Sequence, residues 1–471
     1  MKRWFPTTIG LSLLSTVVLL HCLDVPPRIL AAYAQRQSST QHALIARIGD
    51  SFGHALLLAD HGAQLPAHHY PDWIGASSTK TRALTNTSPV VTVNSSQQAQ
   101  LAIQNANPGD VIQFAPGIYR FSGSYIAATH SGRETAPIIV RAETPGSVIL
   151  EFDLVEGFFV QAPYWQFENL EIHGICKDDS DCEHAFHVVG HAKYFVARNN
   201  IVRDFNAHFK INATQGLFPD HGRIEGNSLT NTRGRQTDNS VTPIDIVAAS
   251  HWQIQNNLIA DFTKLKGDLI SYGVYAKGGG SDNRFIGNVI LCTHVLRGQP
   301  GRQVGASLGG GGTGKKFCRD RKCIVEQEDS VISNNLIASC ADDGIYLNRA
   351  ARSRVSHNTL LDTAGISIRF PETSADLNGN LIDGTIRLRD GAVMHEADNQ
   401  TSQMISLYLG VHSVRKLFVD ATALDLRWSG SPPRRTASTP IADEATDLCG
   451  STRPALPAYG AFEDFSTCLR R

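Results

Sequence analysis

The chain has 471 residues, and 43 lysines and arginines balance 44 aspartates and glutamates. That balance excludes the global charge field by which proteins collect nucleic acid or anionic membrane. The length would allow more than one domain, but a repeat architecture grows by repetition and needs no such division.

Residues 1–34 read as a secretory signal. Lys2 and Arg3 precede an apolar run from Ile9 to Leu20, and Ala32-Tyr33-Ala34 before Gln35 fits a small-x-small cleavage site. The run is short for a membrane span, so the expected destination is the periplasm or the medium. Cys22 would suit a lipoprotein anchor, although His21 before it is a poor fit. Cleavage after Ala34 would turn nine cysteines into eight, and an even count in an exported chain reads as disulfides. Cys176 with Cys182 and Cys318 with Cys323 form local pairs, Cys292 and Cys340 follow anchors of adjacent repeats, and Cys449 and Cys468 share the C-terminal region.

Residues 35–90 are rich in Ser, Thr, Ala and His and read as a loosely ordered segment. Ala99 to Ala106 follows as a short amphipathic helix, suited to covering the open end of a solenoid. From there the chain repeats. Seven asparagines (Asn200, Asn227, Asn257, Asn288, Asn335, Asn358 and Asn380) each have an apolar residue three positions before and two after, and Asn169 is a looser eighth. The steps between them are 31, 27, 30, 31, 47, 23 and 22 residues. Short alternating runs on either side are of β type, so the period implies an all-β parallel β-helix over residues 91–395. An Asn between two strands suits a one-residue left-handed bend, and stacked copies can hydrogen-bond along the stack. A β-sandwich has no reason to keep both flanking apolar positions in seven repeats. Residues 396–471 are expected to pack on the solenoid as a tail or cap.

Upstream of each turn a further strand alternates, which sorts its residues by face. Phe186, Val188, Phe209, Ile211, Ile244, Ile246, Val274, Ala276, Ile345, Leu347, Ile366, Ile368, Ile386 and Leu388 fall inward. One outward column then reads His187, His208, Asp245, Tyr275, Tyr346, Ser367, Arg387, and its neighbour Val189, Lys210, Val247, Lys277, Asn348, Arg369, Arg389. A merely solvated face would mix Lys, Glu, Ser and Thr, whereas this strip holds several cations and one acid. Such a strip suits an acidic sugar chain, because carboxylated sugars need Arg or Lys to hold them. Removing the proton α to a uronate carboxyl requires a base, and neutralising the carboxyl makes that proton more acidic. Lys277, Tyr275 and Arg369 are the candidate catalytic residues. His187, His208, Lys210, Asp245, Tyr346 and Asn348 are the candidate substrate contacts. The same residues also allow a solvated basic strip.

The run Pro108-Gly109-Asp110-Val111-Ile112-Gln113-Phe114, then Gly117-Ile118-Tyr119 and Ala136-Pro137-Ile138-Ile139-Val140-Arg141-Ala142, resembles the opening of exported right-handed parallel β-helix proteins of the pectate-lyase-like superfamily. Within it the run is most similar to the chondroitinase-B and alginate lyase family. Gly450, Arg453 and Tyr459-Gly460-Ala461-Phe462-Glu463 resemble a closing motif of bacterial β-helix proteins. The resemblance implies a single-stranded right-handed parallel β-helix with an N-terminal helical cap. It also implies that Lys277 matches the family's catalytic lysine. The two glutamates that bind calcium in that family are replaced by Ile270 and Tyr272, and its arginine on the following coil has only Arg297 and Arg302 as loose counterparts.

No residues are assigned to a metal, and calcium is left open as a cofactor. Asp178-Asp179-Ser180-Asp181-Cys182-Glu183 could offer it oxygen ligands or simply form a loop closed by Cys176 and Cys182. Glu183, His184 and His187 border the end of the strip. Gly309 to Lys316 mimics a phosphate loop but has Lys316 where Ser or Thr is needed, so it reads as part of a long excursion beside the groove. The expectation is an exported monomer acting on an anionic polysaccharide by β-elimination. The alternatives are a non-catalytic carbohydrate-binding protein and a uronate epimerase. Hydrolysis requires clustered carboxylates, and the strip offers Asp245 alone.

Overall fold

The structure, a computed structural model, describes residues 25–39, 43–62, 67–77, 90–310, 312–436 and 445–470. The apolar run Ile9 to Leu20 and Cys22 lie outside them. Each turn of the chain contributes three short strands, one to each of three long sheets of 12, 11 and 10 strands. The first sheet runs from Val90–Val93 to Val393–Ala397, the second from Gly117–Ser122 to Gln400–Thr401, and the third from Ile126–Ala128 to Thr385–Arg389. Strands of successive coils pair in parallel and in register, as in Lys210 beside Asp245 and Ile224 beside Ile254. This is an all-β, right-handed parallel β-helix, and its crossovers have the hand that strand twist imposes. Among the described residues no helix is long and apolar enough to cross a membrane.

The interior is an apolar column. Phe158, Phe186 and Phe209 stack with centroids 5.3 and 4.8 Å apart, all fully buried. The expected inward residues are buried, except that Ile386 is half-buried and Leu388 is 46% exposed where the third sheet ends. The helix Ser96–Gln104 caps the opening, with Ser95 accepting from the N–H of Gln98 and Ala99 and Ile103 buried against the first coils.

The asparagines form a continuous ladder. Oδ1 of Asn257 accepts from the backbone N–H of Asn227 (2.9 Å), while its Nδ2 donates to the carbonyl of Ile224 (2.8 Å) and to Oδ1 of Asn288 (3.0 Å). The pattern continues to Asn399. The ladder residue is not the bend, however. The left-handed residue is the one before it: Asn199, Gly226, Asn256, Gly287, Asn334, His357, Gly379 and Asp398. The two tasks are incompatible at one position, since the ladder amide must sit buried within the stack while the bend needs a residue that tolerates positive φ. Asn169 is itself a bend residue (φ 62°), and the N–H of Leu170 supplies the last bond of the ladder, donating to Asn200.

Both ends of the chain return to the coils. The segment expected to be loose contains the helix Ala43–His61, which packs against a helix Pro27–Ser39. Arg28, 1% exposed, pairs with Asp60 (2.6 Å) and Asp362 (3.1 Å) and donates to the carbonyl of Cys340 (2.7 Å). Cleavage after Ala34 would remove this arginine. At the other end Leu448, Phe462 and Phe465 pack on Leu258, Leu291 and Leu336, and Glu463 accepts from Arg453 (3.0 Å) and from the N–H of Ala458 (2.9 Å). The eight described cysteines pair as expected, with Cys292–Cys340 joining adjacent coils.

Candidate functional site

The third sheet carries the strip. Its register aligns Phe159, His187, Lys210, Asp245, Tyr275, Ser307, Tyr346, Ser367 and Arg387 in one column. Asn212, Val247, Lys277, Asn348, Arg369 and Arg389 follow in its neighbour. Two expectations change. Lys210, not His208, stands between His187 and Asp245, because Phe209 pairs with Phe186 and carries its successor into that column. His208 is fully buried and its Nε2 bonds the carbonyl of Thr230 (3.0 Å). Burial pushes it down to about 4, against the smaller upward pull of the Thr230 carbonyl. It therefore serves the fold and does not line the strip. The strand Arg302–Leu308, which carries Ser307, was hidden in the 47-residue step because its Val, Gly, Ala and Ser give a weak alternation.

The corrected register brings opposite charges together. Lys210 Nζ lies 2.5 Å from Oδ2 of Asp245, and Lys277 Nζ lies 3.5 Å from Oδ1. Asp245 is 2% exposed. Burial alone would raise its pKa, but Lys210 and Lys277 outweigh that and hold it at about 2, so the carboxylate is ionised. Lys277 Nζ also sits 4.0 Å from the centroid of the Tyr275 ring. On the following coil the N–H of Gly309 bonds the carbonyl of Ala276 (2.7 Å), the residue before the lysine.

Tyr275 is a platform for Lys277. It is 7% exposed, its ring stacks on Tyr272 at 4.4 Å, and its pKa is driven far upward by burial, then by Tyr272 and Asp245. The glycine loop closes over it, since a Cβ at Gly310 would lie 1.5 Å from its hydroxyl oxygen. A phenol so covered keeps its proton, which removes Tyr275 as a base. Tyr346 is half-buried and accepts from Nδ2 of Asn348 (2.9 Å). Arg369 pairs with Asp390 (2.6 Å) and lies three strands from Lys277, roughly 14 Å at about 4.8 Å per strand. It therefore lies outside the Lys277 cluster. Arg387 is buried with Asp343, whose carboxyl is pushed up to about 7, chiefly by burial.

Several neighbours carried no sequence signal. Glu156, on the strand Glu156–Val160, contacts His187 Nδ1 at 2.9 Å, so the strip has a second acid. Burial would raise Glu156, but the neighbouring His184 and His187 imidazoles outweigh it and hold it at about 2. Arg319, from the loop of the Cys318–Cys323 disulfide, grips both oxygens of Asp220 at 2.9 Å and crosses the Phe218 ring at 4.2 Å. This fixes the long excursion beside the C-terminal end of the Lys277 strand, where the N–H of Arg319 also bonds the carbonyl of Gly278 (2.8 Å). Arg302 pairs with Asp342 at the opposite end of its strand, and Arg297 reaches the carbonyl of Thr422.

The surroundings of Lys277 do not fit a calcium ion, which takes about 6–8 oxygen ligands. Asp245 already faces the side-chain nitrogens of Lys210 and Lys277, and Ile270 and the stacked Tyr272 offer no carboxylate. The Asp178–Glu183 segment does not fit one either. Asp178 caps its own turn onto Ser180, and Asp179 is taken by Arg233 (2.6 Å), Arg235 (3.1 Å) and the N–H of Gln236 (2.7 Å).

Fold and strip together define a right-handed parallel β-helix with a charged strip on one sheet. Comparison with known proteins agrees with that fold. Residues 93–163 match the family model described as Chondroitinase B. Pectate lyase L of Dickeya chrysanthemi is 32% identical over 92 residues, covering 17% of this chain and 22% of that protein. Pectate lyase L of Dickeya dadantii (strain 3937) is 29% identical over the same length. The chain thus spans about a fifth of the curated relatives it matches. The crystal structure of pectate lyase Pel9A superposes with a TM-score of 0.54 at 15% identity, over 77% of this chain and 90% of that one, a likeness of fold.

Proposed function

We propose that the chain is an exported polysaccharide lyase that cleaves an acidic, uronate-containing polymer by β-elimination. The observation that carries this reading is the cluster Lys210–Asp245–Lys277 on an open sheet face. Lys210 engages Asp245 closely, which leaves Lys277 as the amine that can turn to a substrate. In the proposed step Lys277 Nζ takes the proton α to the uronate carboxyl, and the electron pair forms the new double bond as the bond to the β-oxygen breaks. The departing oxygen takes a proton from solvent water, Lys277 returns its proton to solvent, and the product carries an unsaturated sugar. Lys210 and, further along the sheet, Arg369 supply positive charge for the polymer's carboxylates. The Gly309–Glu326 excursion lies beside this face, where it would bear on which polymer is accepted.

Export is part of the proposal. Arg28 is bound into the body through Asp60 and Asp362, so the proposed cut that releases the mature protein falls upstream of it. The test of function is to incubate purified protein with polygalacturonate, alginate and glycosaminoglycans and follow the ultraviolet absorbance of unsaturated uronates. Absorbance growth on at least one polymer is expected. Measurable binding with no absorbance on any of them would replace the lyase with a binding protein.

A further inference from the structure

At the start of the third sheet, one strand before Lys210, three side chains converge outside the Lys277 cluster. Glu156 Oε1 lies 2.9 Å from His187 Nδ1 and 3.8 Å from His184 Nδ1, and one ligand atom from each of the three residues falls within a 4.8 Å group. Donors of a tetrahedral zinc-type ion at bond lengths of about 2.1 Å stand roughly 3.4 Å apart. The observed spacing needs only side-chain rotation to reach that.

The hydrogen bonds around the cluster point the same way. Asn212 is oriented by its Nδ2, which donates to the carbonyl of Ala213 (3.1 Å), so its Oδ1 faces His187 Nε2 at 2.7 Å. His187 therefore donates from Nε2. Its Nδ1 faces the Glu156 carboxylate at 2.9 Å, the position from which the ring and the carboxylate could share a cation. A metal-bound histidine ordinarily donates its other N–H to an oxygen in this way. His184 is only 9% exposed, and its Nδ1 has no hydrogen-bond partner, which is a costly state for a buried polar atom without a ligand. Its Nε2 lies 3.7 Å from Glu183, an oxygen partner on the outer side.

We propose that Glu156, His184 and His187 form a binding site for a divalent transition metal of the zinc type, with a coordination position left open to the face of the strip. Two imidazoles and one carboxylate suit zinc, cobalt or nickel and not calcium, which prefers an all-oxygen shell. The His187 strand is three strands from that of Lys277, roughly 14 Å at about 4.8 Å per strand. The metal would thus hold a carboxylate or water at a neighbouring position and take no part in proton removal at Lys277.

The test uses the purified full chain, stripped with chelator and titrated with Zn2+ by calorimetry and with Co2+ by visible absorption, without any polysaccharide. Its outcome is therefore independent of lyase activity. One equivalent of Zn2+ and a Co2+ spectrum typical of low coordination number with nitrogen ligands are expected. His184→Ala and Glu156→Gln should each weaken binding by at least about tenfold, while His251→Ala, at an exposed histidine on another face, should not. Glu156→Gln preserves side-chain shape and keeps the comparison valid if His184→Ala fails to fold. No stoichiometric binding, or binding that survives Glu156→Gln unchanged, overturns the proposal.

Discussion

Asn257 makes four hydrogen bonds inside the stack, two accepted from Asn227 and two donated to Ile224 and Asn288. Replacing it with Ala removes all four and leaves the buried backbone N–H of Asn227 without its acceptor. A loss of about 2–4 kcal/mol is expected in denaturant unfolding. Its neighbour Asn256 has φ 55° and performs the bend, so Asn256→Gly should be tolerated, whereas Asn256→Val should cost about 1–2 kcal/mol. Equal effects of the two Asn256 substitutions would contradict this division of roles. His208 provides the pH dependence at this scale. Its folded value is near 4, and an unfolded histidine titrates near about 6.5. Between these values the unfolded chain binds a proton that the folded chain refuses, so stability falls as pH drops through that window. Gln at this position keeps an N–H for the Thr230 carbonyl without titrating. Melting temperatures of His208→Gln measured from pH 7 to pH 4 should therefore fall less steeply than those of the parent.

At the scale of elements, the excursion between Gly309 and Glu326 is fixed to the sheet at two points, Gly310 against the Tyr275 hydroxyl and Arg319 against Asp220. A side chain at Gly310 cannot fit without moving the loop. Gly310→Val should lower activity by roughly 10- to 100-fold, the scale on which misplaced positioning groups act, with little change in unfolding midpoint. Full activity in that variant would show that the loop is not needed over Tyr275. The strand order was legible in the Asn period, because buried anchors recur once per coil whatever the loops do. The register of one strand was not, since His208 and Lys210 both flank Phe209 in an alternating run. Only pairing of Phe209 with Phe186 and Ile244 decides which of them faces the strip. The Glu156–His187 contact was equally invisible, because it joins residues 31 apart on strands that share no common motif.

Across the whole molecule, the solenoid, its cap and the inward column follow from a repeated apolar pattern, which is why they are legible in the sequence. The terminal segments carry no such pattern. Their docking rests on single charged contacts such as Arg28 with Asp60 and Asp362, so composition alone suggested a loose segment. Mass spectrometry of the mature N-terminus should find Arg28 retained. Arg28→Ala should destabilise the protein by about 3–5 kcal/mol by leaving buried carboxylates uncompensated. A mature chain beginning at Gln35 would mean that the body is stable without these contacts. The central claim, that Lys277 on this strip removes a proton from a uronate, is tested most directly by comparing product formation in the parent and Lys277→Ala proteins on the polymer that the parent degrades. Binding of the polymer is measured alongside. A loss of about 100- to 10,000-fold in turnover is expected, with the polymer still bound. Turnover that persists in Lys277→Ala would contradict the assignment.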